Sequence, residues 1–295
     1  MEKEKAIAFN NEGARHFLKQ NFEKAAECYD KAYELDSKNT SILNNMGLYY
    51  QQQKDYDKAI LFFEKAIQIE IKPHFLVNLG NALSMKGKYA IAWDKFSEAV
   101  ERFPEHQNAK ISLAKLATHI NELEKAVQIW KSIIEEHPTD QNLIQLVKVF
   151  MRMNHWEEAR QTLTSIPPNY WTGLVWFLAG QCEFHLKNYG FAIKSFKSAL
   201  AEEPDNTSYR HYLAMTFLAV GQVSEGLDHL IKNSRLEPDN PAILTDLAVV
   251  YLSKGEFEMA KNWLNKALDL DPSFEKALHY KSKMKQIDSG KQEQN

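Results

Sequence analysis

Small and bulky apolar residues follow one another along this chain in a pattern that repeats. The segment FEKAAECYDKAYELDSKN at 22–39 returns, reworded, as YDKAILFFEKAIQIE at 56–70 and as FEMAKNWLNKALDLDPSF at 257–274. Aligned on a small residue, the copies place Gly13, Gly47, Gly80, Gly180 and Ala248 about 34 residues apart, or at multiples of that interval. Twelve residues beyond each stands Ala25, Ala59, Ala92, Ala192 or Ala260. Four later comes Tyr29, Phe63, Phe96, Phe196 or Leu264, usually with an alanine three after that. Spacings of three and four lie on one helical face. The pattern therefore predicts pairs of antiparallel helices that approach closely where small residues meet, with the bulky partner filling the adjoining groove. Enlarging Gly80 or Ala192 would overpack that contact.

Polar turns such as QNF, KDY, GKY, KNY and GEF separate the two helices of a unit. Pro104, Pro138, Pro204, Pro238 and Pro272 stand where each second helix must stop, because proline lacks the N–H and clashes with the preceding turn. In these residues the chain resembles the tetratricopeptide repeat family, whose unit is a 34-residue helix-turn-helix. The resemblance covers nearly the whole sequence and implies an all-α, right-handed superhelical solenoid of about eight repeats. Their register is 6–39, 40–72, 73–106, 107–139, 140–172, 173–206, 207–240 and 241–274. A capping helix is expected over 275–287, where Lys281, Ser282 and Lys285 replace apolar or small residues, and 288–295 is expected to be disordered. Pro167 and Pro168 cut short the second helix of repeat five, so 167–172 is expected to be an irregular junction. It is either a hinge between 6–166 and 173–274 or a rigid kink. Repeat seven carries Gly226 and Asn233 in place of alanines, which weakens its helix and packing. Repeat four carries Ala114 for glycine and Ile133 for alanine, changes the pattern tolerates.

At 295 residues the chain would ordinarily hold two domains, unless repetition lets it grow without a second core. Its 44% hydrophobic and 25% charged residues are those of an ordered protein. No apolar run suits a bilayer and the start lacks a signal-peptide core, so no membrane insertion and a cytoplasmic location are expected. Cys28 and Cys182 fall in separate repeats, too few for a disulfide framework and consistent with a reducing compartment. Without a secretion signal, the sequons beginning at Asn39 and Asn206 carry no weight. A net charge of −3 offers no global attraction to nucleic acid, which is not expected as a partner.

No HExxH, GxSxG, glycine-rich phosphate loop or paired CxxC occurs, so neither catalysis nor a cofactor is expected. Cys182 and His185 lie one helical turn apart, but a metal needs two further ligands and none is evident. Trp93, Trp130, Trp156, Trp176 and Trp263 fall on core or turn places, where packing explains them.

The resemblance implies that first helices line a concave groove, with their second, fifth, sixth, ninth, twelfth and thirteenth residues facing it. Asn11, Asn45, Asn78, Ser112 and Gln145 hold the sixth places, with Asn10, Asn44 and Asn81 nearby. Such a row of amides can bond an extended peptide backbone, or serve the repeats themselves. Lys115, His119, Lys148 and Arg152 form a basic cluster that favours an acidic ligand. Leu174, Phe177, Phe184, Met215, Leu218, Val249 and Leu252 put apolar side chains on groove places, marking either a partner site or buried core. The carboxylate clamp of some chaperone-associated family members is broken by Ala14, Leu48 and His74. The reading is a scaffold or adaptor that binds a peptide or helical segment of a partner protein bearing acidic and apolar residues. The alternative is self-assembly into homo-oligomers.

Overall fold

The computed structural model describes residues 1–292, without the side chains of residues 285 and 287–292. In chain order the helices pair as α1 (Glu2–Leu18) with α2 (Phe22–Leu35), α3 (Thr40–Gln52) with α4 (Tyr56–Ile69), α5 (Pro73–Met85) with α6 (Tyr89–Arg102), and α7 (Gln107–His119) with α8 (Leu123–Glu136). Then follow α9 (Asp140–Arg152), α10 (Trp156–Thr164), α11 (Gly173–His185) with α12 (Tyr189–Glu202), α13 (Thr207–Ala219) with α14 (Val223–Leu236), α15 (Pro241–Ser253) with α16 (Phe257–Leu270), and α17 (Glu275–Gln292). Among the described residues there is no strand. The chain divides into two compact units, residues 1–153 and 154 onward. In the first unit, first helices α1, α3, α5 and α7 touch in succession; in the second, α11 touches α13 and α15 touches α17.

The contact between small residue and ring organises each pair. A Cβ added to Gly80 would lie 2.5 Å from Cε1 of Phe96, and one added to Gly47 would run into the Phe63 ring. Phe63, Phe96, Phe196 and the Trp130 of repeat four are buried to within 1%. Each such side chain contributes about 1.5–3 kcal/mol through burial.

Each first helix stops on a left-handed residue at one shared place: Gln20, Lys54, Gly87, Asn121, Asn154, Lys187, Gly221 and Gly255. The amide after it bonds a carbonyl one turn back, as Asp55 N does to Tyr50 O at 2.9 Å and Lys88 N to Leu83 O at 2.9 Å. This reversal satisfies carbonyls that the helix end would otherwise orphan. Between repeats, Asn39, Thr139, Asn206 and Asn240 cap the next helix with their side chains. The two sequon asparagines are thus helix caps.

Pro167 and Pro168 shorten α10 to nine residues and leave a 3-10 turn at Pro168–Tyr170. The junction is tied locally: Trp171 Nε1 donates to the Ile166 carbonyl at 2.8 Å, and Ile166 is buried. The division between the two compact units lies at Met153/Asn154, ahead of the proline pair.

Repeat seven packs by different means from its neighbours. Arg210 is buried at a place where most repeats carry Phe, Leu or Trp. Its guanidinium donates to Asn233 Oδ1 at 3.3 Å and to the Pro204 carbonyl, while Asn233 Nδ2 donates to the Thr207 carbonyl at 2.9 Å. Asn233 therefore answers Arg210, and a side chain expected to loosen the repeat bonds it. Gly226 is filled from α13, since a Cβ there would meet Leu218 Cγ at 2.7 Å. The last helix, α17, continues past its expected end at 287; residues 293–295 of the expected tail lie outside the described residues. No helix among the described residues is long and apolar enough to cross a membrane.

Candidate functional site

One contact recurs along the first-helix face: the fifth residue of one repeat meets the sixth of the next. Asn45 Nδ2 donates to Asn10 Oδ1 at 2.9 Å, and Asn78 Nδ2 donates to Asn44 Oδ1 at 2.8 Å. In the second unit the same places pair the rings of Phe177 and Tyr212, edge to face with centroids 5.2 Å apart. One repeat later, His211 Nδ1 lies 3.4 Å from Asp246 Oδ2. Repeats stacked in register bring these places together whatever residues occupy them.

Within the expected amide row, Asn45 and Asn78 are therefore engaged between helices. Asn10 and Asn44, the acceptors, are buried, while Asn45 and Asn78 are half-buried. Asn11 is exposed and Asn81 half-buried, and neither joins this pairing.

The basic cluster is divided in the same way. Arg152 donates to the Thr118 carbonyl at 2.5 Å and to Asn121 Oδ1 at 3.1 Å, closing the end of α7. His119 Nε2 lies 3.1 Å from the Tyr89 hydroxyl. Lys115 and Lys148 are exposed and have no ion-pair partner among the described residues. Both are free to meet an anionic group.

On α11 and α13 the apolar places form a ledge in which Phe177, Phe184, Tyr212, Met215 and Leu218 are half-buried. Phe177 stacks on Tyr209 with centroids 4.6 Å apart, and Phe184 approaches the edges of Tyr189 and Tyr212. Met215 is half-buried, and Leu218 is drawn inward over Gly226. Leu174 is exposed, at 37%. Tyr212 bridges Phe177 and Phe184, yet sequence reasoning missed it. Its sixth place in repeat seven, the place of Asn45 and Asn78, was the available signal.

A polar cleft lies beside the ledge, where Lys276 of α17 donates to Asp246 Oδ1 at 2.5 Å. Asp246 is buried between Lys276 and His211, so the last helix is latched to α15 through that carboxylate. Cys182 and His185 do not converge. Burial pushes the Cys182 thiol up to about 12, which leaves it protonated. The His185 ring instead stacks on Trp156 at 3.7 Å. No group of three or more metal-ligating side chains occurs among the described residues.

Tetratricopeptide repeat models match residues 4–70, 77–140 and 241–274. Over 263 residues the chain is 24% identical to BBSome complex member BBS4 of Bos taurus, covering 86% of this chain and 50% of that protein. It spans half or less of the length of the curated relatives it matches. A tetratricopeptide repeat protein from Parabacteroides merdae shares the fold with a TM-score of 0.64 at 17% identity, covering 81% of this chain and 96% of that one. YrrB, described as a TPR protein with an unusual peptide-binding site, matches with a TM-score of 0.51 at 22% identity, over 63% of this chain and 97% of its own.

Proposed function

Because this chain belongs to the tetratricopeptide repeat family, we propose that it is a non-enzymatic interaction scaffold holding a segment of a partner protein along its first-helix face. The observation that carries this reading is the half-buried aromatic ledge of Phe177, Phe184 and Tyr212 on α11 and α13. These rings are fixed by one another and still present surface, which suits apolar side chains of a partner. The unpaired ammonium groups of Lys115 and Lys148 on α7 and α9 suit an acidic stretch. One exposed ion pair supplies about 0.2–1 kcal/mol, whereas micromolar affinity needs about 8 kcal/mol, so the apolar ledge must carry most of the binding. The likeness to YrrB lends support as an analogy of fold.

Affinity capture from the source cell, comparing wild type with Met215→Glu and, separately, with Lys148→Glu, tests the reading once equal melting temperatures show all baits folded. Partners lost by either variant bind the first-helix face of that unit. A partner set unchanged in every bait sinks it, as does a dimer in light scattering that Met215→Glu dissociates.

A further inference from the structure

The opposite, second-helix side of the C-terminal unit carries an opening that the repeat pattern does not predict. In repeats one and two, Tyr33 of α2 fills the space against α4. Its ring meets Phe62 edge to face at 5.7 Å, and its hydroxyl accepts from Lys65 Nζ at 3.1 Å. The same place in repeats two, three, four, six and eight holds Ile67, Val100, Ile134, Leu200 and Leu268. Repeat seven alone puts a small polar residue there, Ser234. The consequence is a cleft of about 610 Å³ between α14 and α16, lined by Ile231, Ser234, Leu244, Trp263 and Lys266. The corresponding space between repeats three and four, beside Val100, is about 250 Å³.

The rest of the Tyr33 environment is still in place around the vacancy. Trp263 stands where Phe62 does and Lys266 where Lys65 does, with the ammonium 4.6 Å over the indole. Leu244 replaces Leu43 in kind at the base. Trp263 Nε1 is buried with no hydrogen-bond partner among the described residues. At the rim the charge is reversed, since Arg235 occupies the place of Glu34. The lining of the cleft carries two cations, Arg235 and Lys266, and one acid, Asp269.

We propose that this cleft is a second binding site, taking a tyrosine side chain from a partner protein with acidic residues on either side of it. The incoming ring does what Tyr33 does within the chain: its edge packs on Trp263, its hydroxyl accepts from Lys266, and the flanking carboxylates meet Arg235. This site is separate from the first-helix face and does not depend on it.

The test uses the full chain with nitrogen-15 label, reading the Trp263 indole resonance while the blocked pentapeptide Asp-Glu-Tyr-Glu-Asp is added. A saturable shift at Trp263 is expected, absent when alanine replaces the peptide's tyrosine. Ser234→Tyr should abolish it by filling the cleft from within, with melting temperature held or raised; Ser234→Leu, the residue type of repeats six and eight, serves if that variant misfolds. Arg235→Glu should weaken binding about fivefold at low salt, the scale of one exposed charge pair. A silent Trp263 at millimolar peptide overturns the proposal, as do equal shifts from the alanine peptide or undiminished binding by a folded Ser234 variant. A Trp263 resonance that moves with protein concentration alone overturns it too, because the occupant is then a second copy of the chain.

Discussion

The first-helix faces of the two units are built by opposite chemistry on the same geometry. In the N-terminal unit, amides join the fifth place of one repeat to the sixth of the next, Asn10 to Asn45 and Asn44 to Asn78. In the C-terminal unit the same places hold ring against ring and imidazole against carboxylate, Phe177 with Tyr212 and His211 with Asp246. A face position in a repeat array thus has two clients, the neighbouring repeat and the ligand. Only what remains after the neighbour is served can be offered to a partner. Asn10, Asn44, Asn45 and Asn78 each commit one hydrogen bond in this way, whereas the aromatic rings, too large to vanish into one contact, keep surface over.

The largest effect should separate ledge from core. Phe96→Ala empties a fully buried site and should cost about 3–5 kcal/mol in urea unfolding. Phe177→Ala removes a half-buried ring and should cost clearly less while lowering partner affinity. Equal losses of stability would place Phe177 in the core and end the contrast on which the ledge rests.

Next in size is the amide pair. Asn78→Ala leaves the buried Asn44 Oδ1 without its donor and should destabilise the chain by about 1–3 kcal/mol. An Asn78→Ala variant of unchanged stability but weakened peptide binding would mean that the amide serves the ligand, reversing the assignment.

These two tests also mark how far the sequence could be read. The helix pairs, their small-to-aromatic contacts and their proline stops were legible because each follows from local periodicity, and Gly80 against Phe96 is the pattern itself made solid. The face was only half legible. Periodicity says which way Asn45 or Arg152 points, but not that Asn10 or the Thr118 carbonyl waits there, because those partners come from another repeat. The same limit hid the answer of Asn233 to Arg210, and the vacancy at Ser234, which shows only when one repeat's neighbour is compared with another's. The shared left-handed turn residue had a faint signal in Gly87, Gly221 and Gly255, masked by Gln20, Lys54, Asn121, Asn154 and Lys187 at the same place.

A smaller effect, common to both units, should appear with pH. His229, stacked on Phe217, has its pKa lowered by burial first and then by the positive charges of Arg210, Lys197 and Lys232, with Asp228 opposing. His74 in the other unit is lowered by burial and then by Lys72 and His106, with Glu70 opposing. Below the ordinary histidine value of 6.5 the unfolded chain binds protons that the folded chain resists. Their contribution to stability is therefore complete above that pH and is lost as pH falls through the lower folded values. Melting temperature should drop on acidification below neutrality, and less steeply in His229→Gln. A slope unchanged by that substitution would show the imidazole to be solvated.

The smallest expected change in stability belongs to the two free lysines, and it is the one that isolates binding. Lys115 and Lys148 are exposed and have no ion-pair partner among the described residues. Lys115→Glu with Lys148→Glu should therefore move the unfolding free energy by no more than about 0.5 kcal/mol per site. The neighbouring Arg152 offers the contrast. Arg152→Glu breaks two hydrogen bonds at the end of α7 and turns a bonded cation into an anion facing the Thr118 carbonyl, so it should lose stability as well as charge. An acidic peptide should bind the double lysine variant several-fold more weakly at low salt. The difference should close at about 1 M salt, where the screening length shrinks to about 3 Å. If the gap persists at high salt, the lysines act through direct contact or shape. If there is no gap at low salt, the acidic part of the ligand binds elsewhere and the ledge on α11 and α13 must act without it.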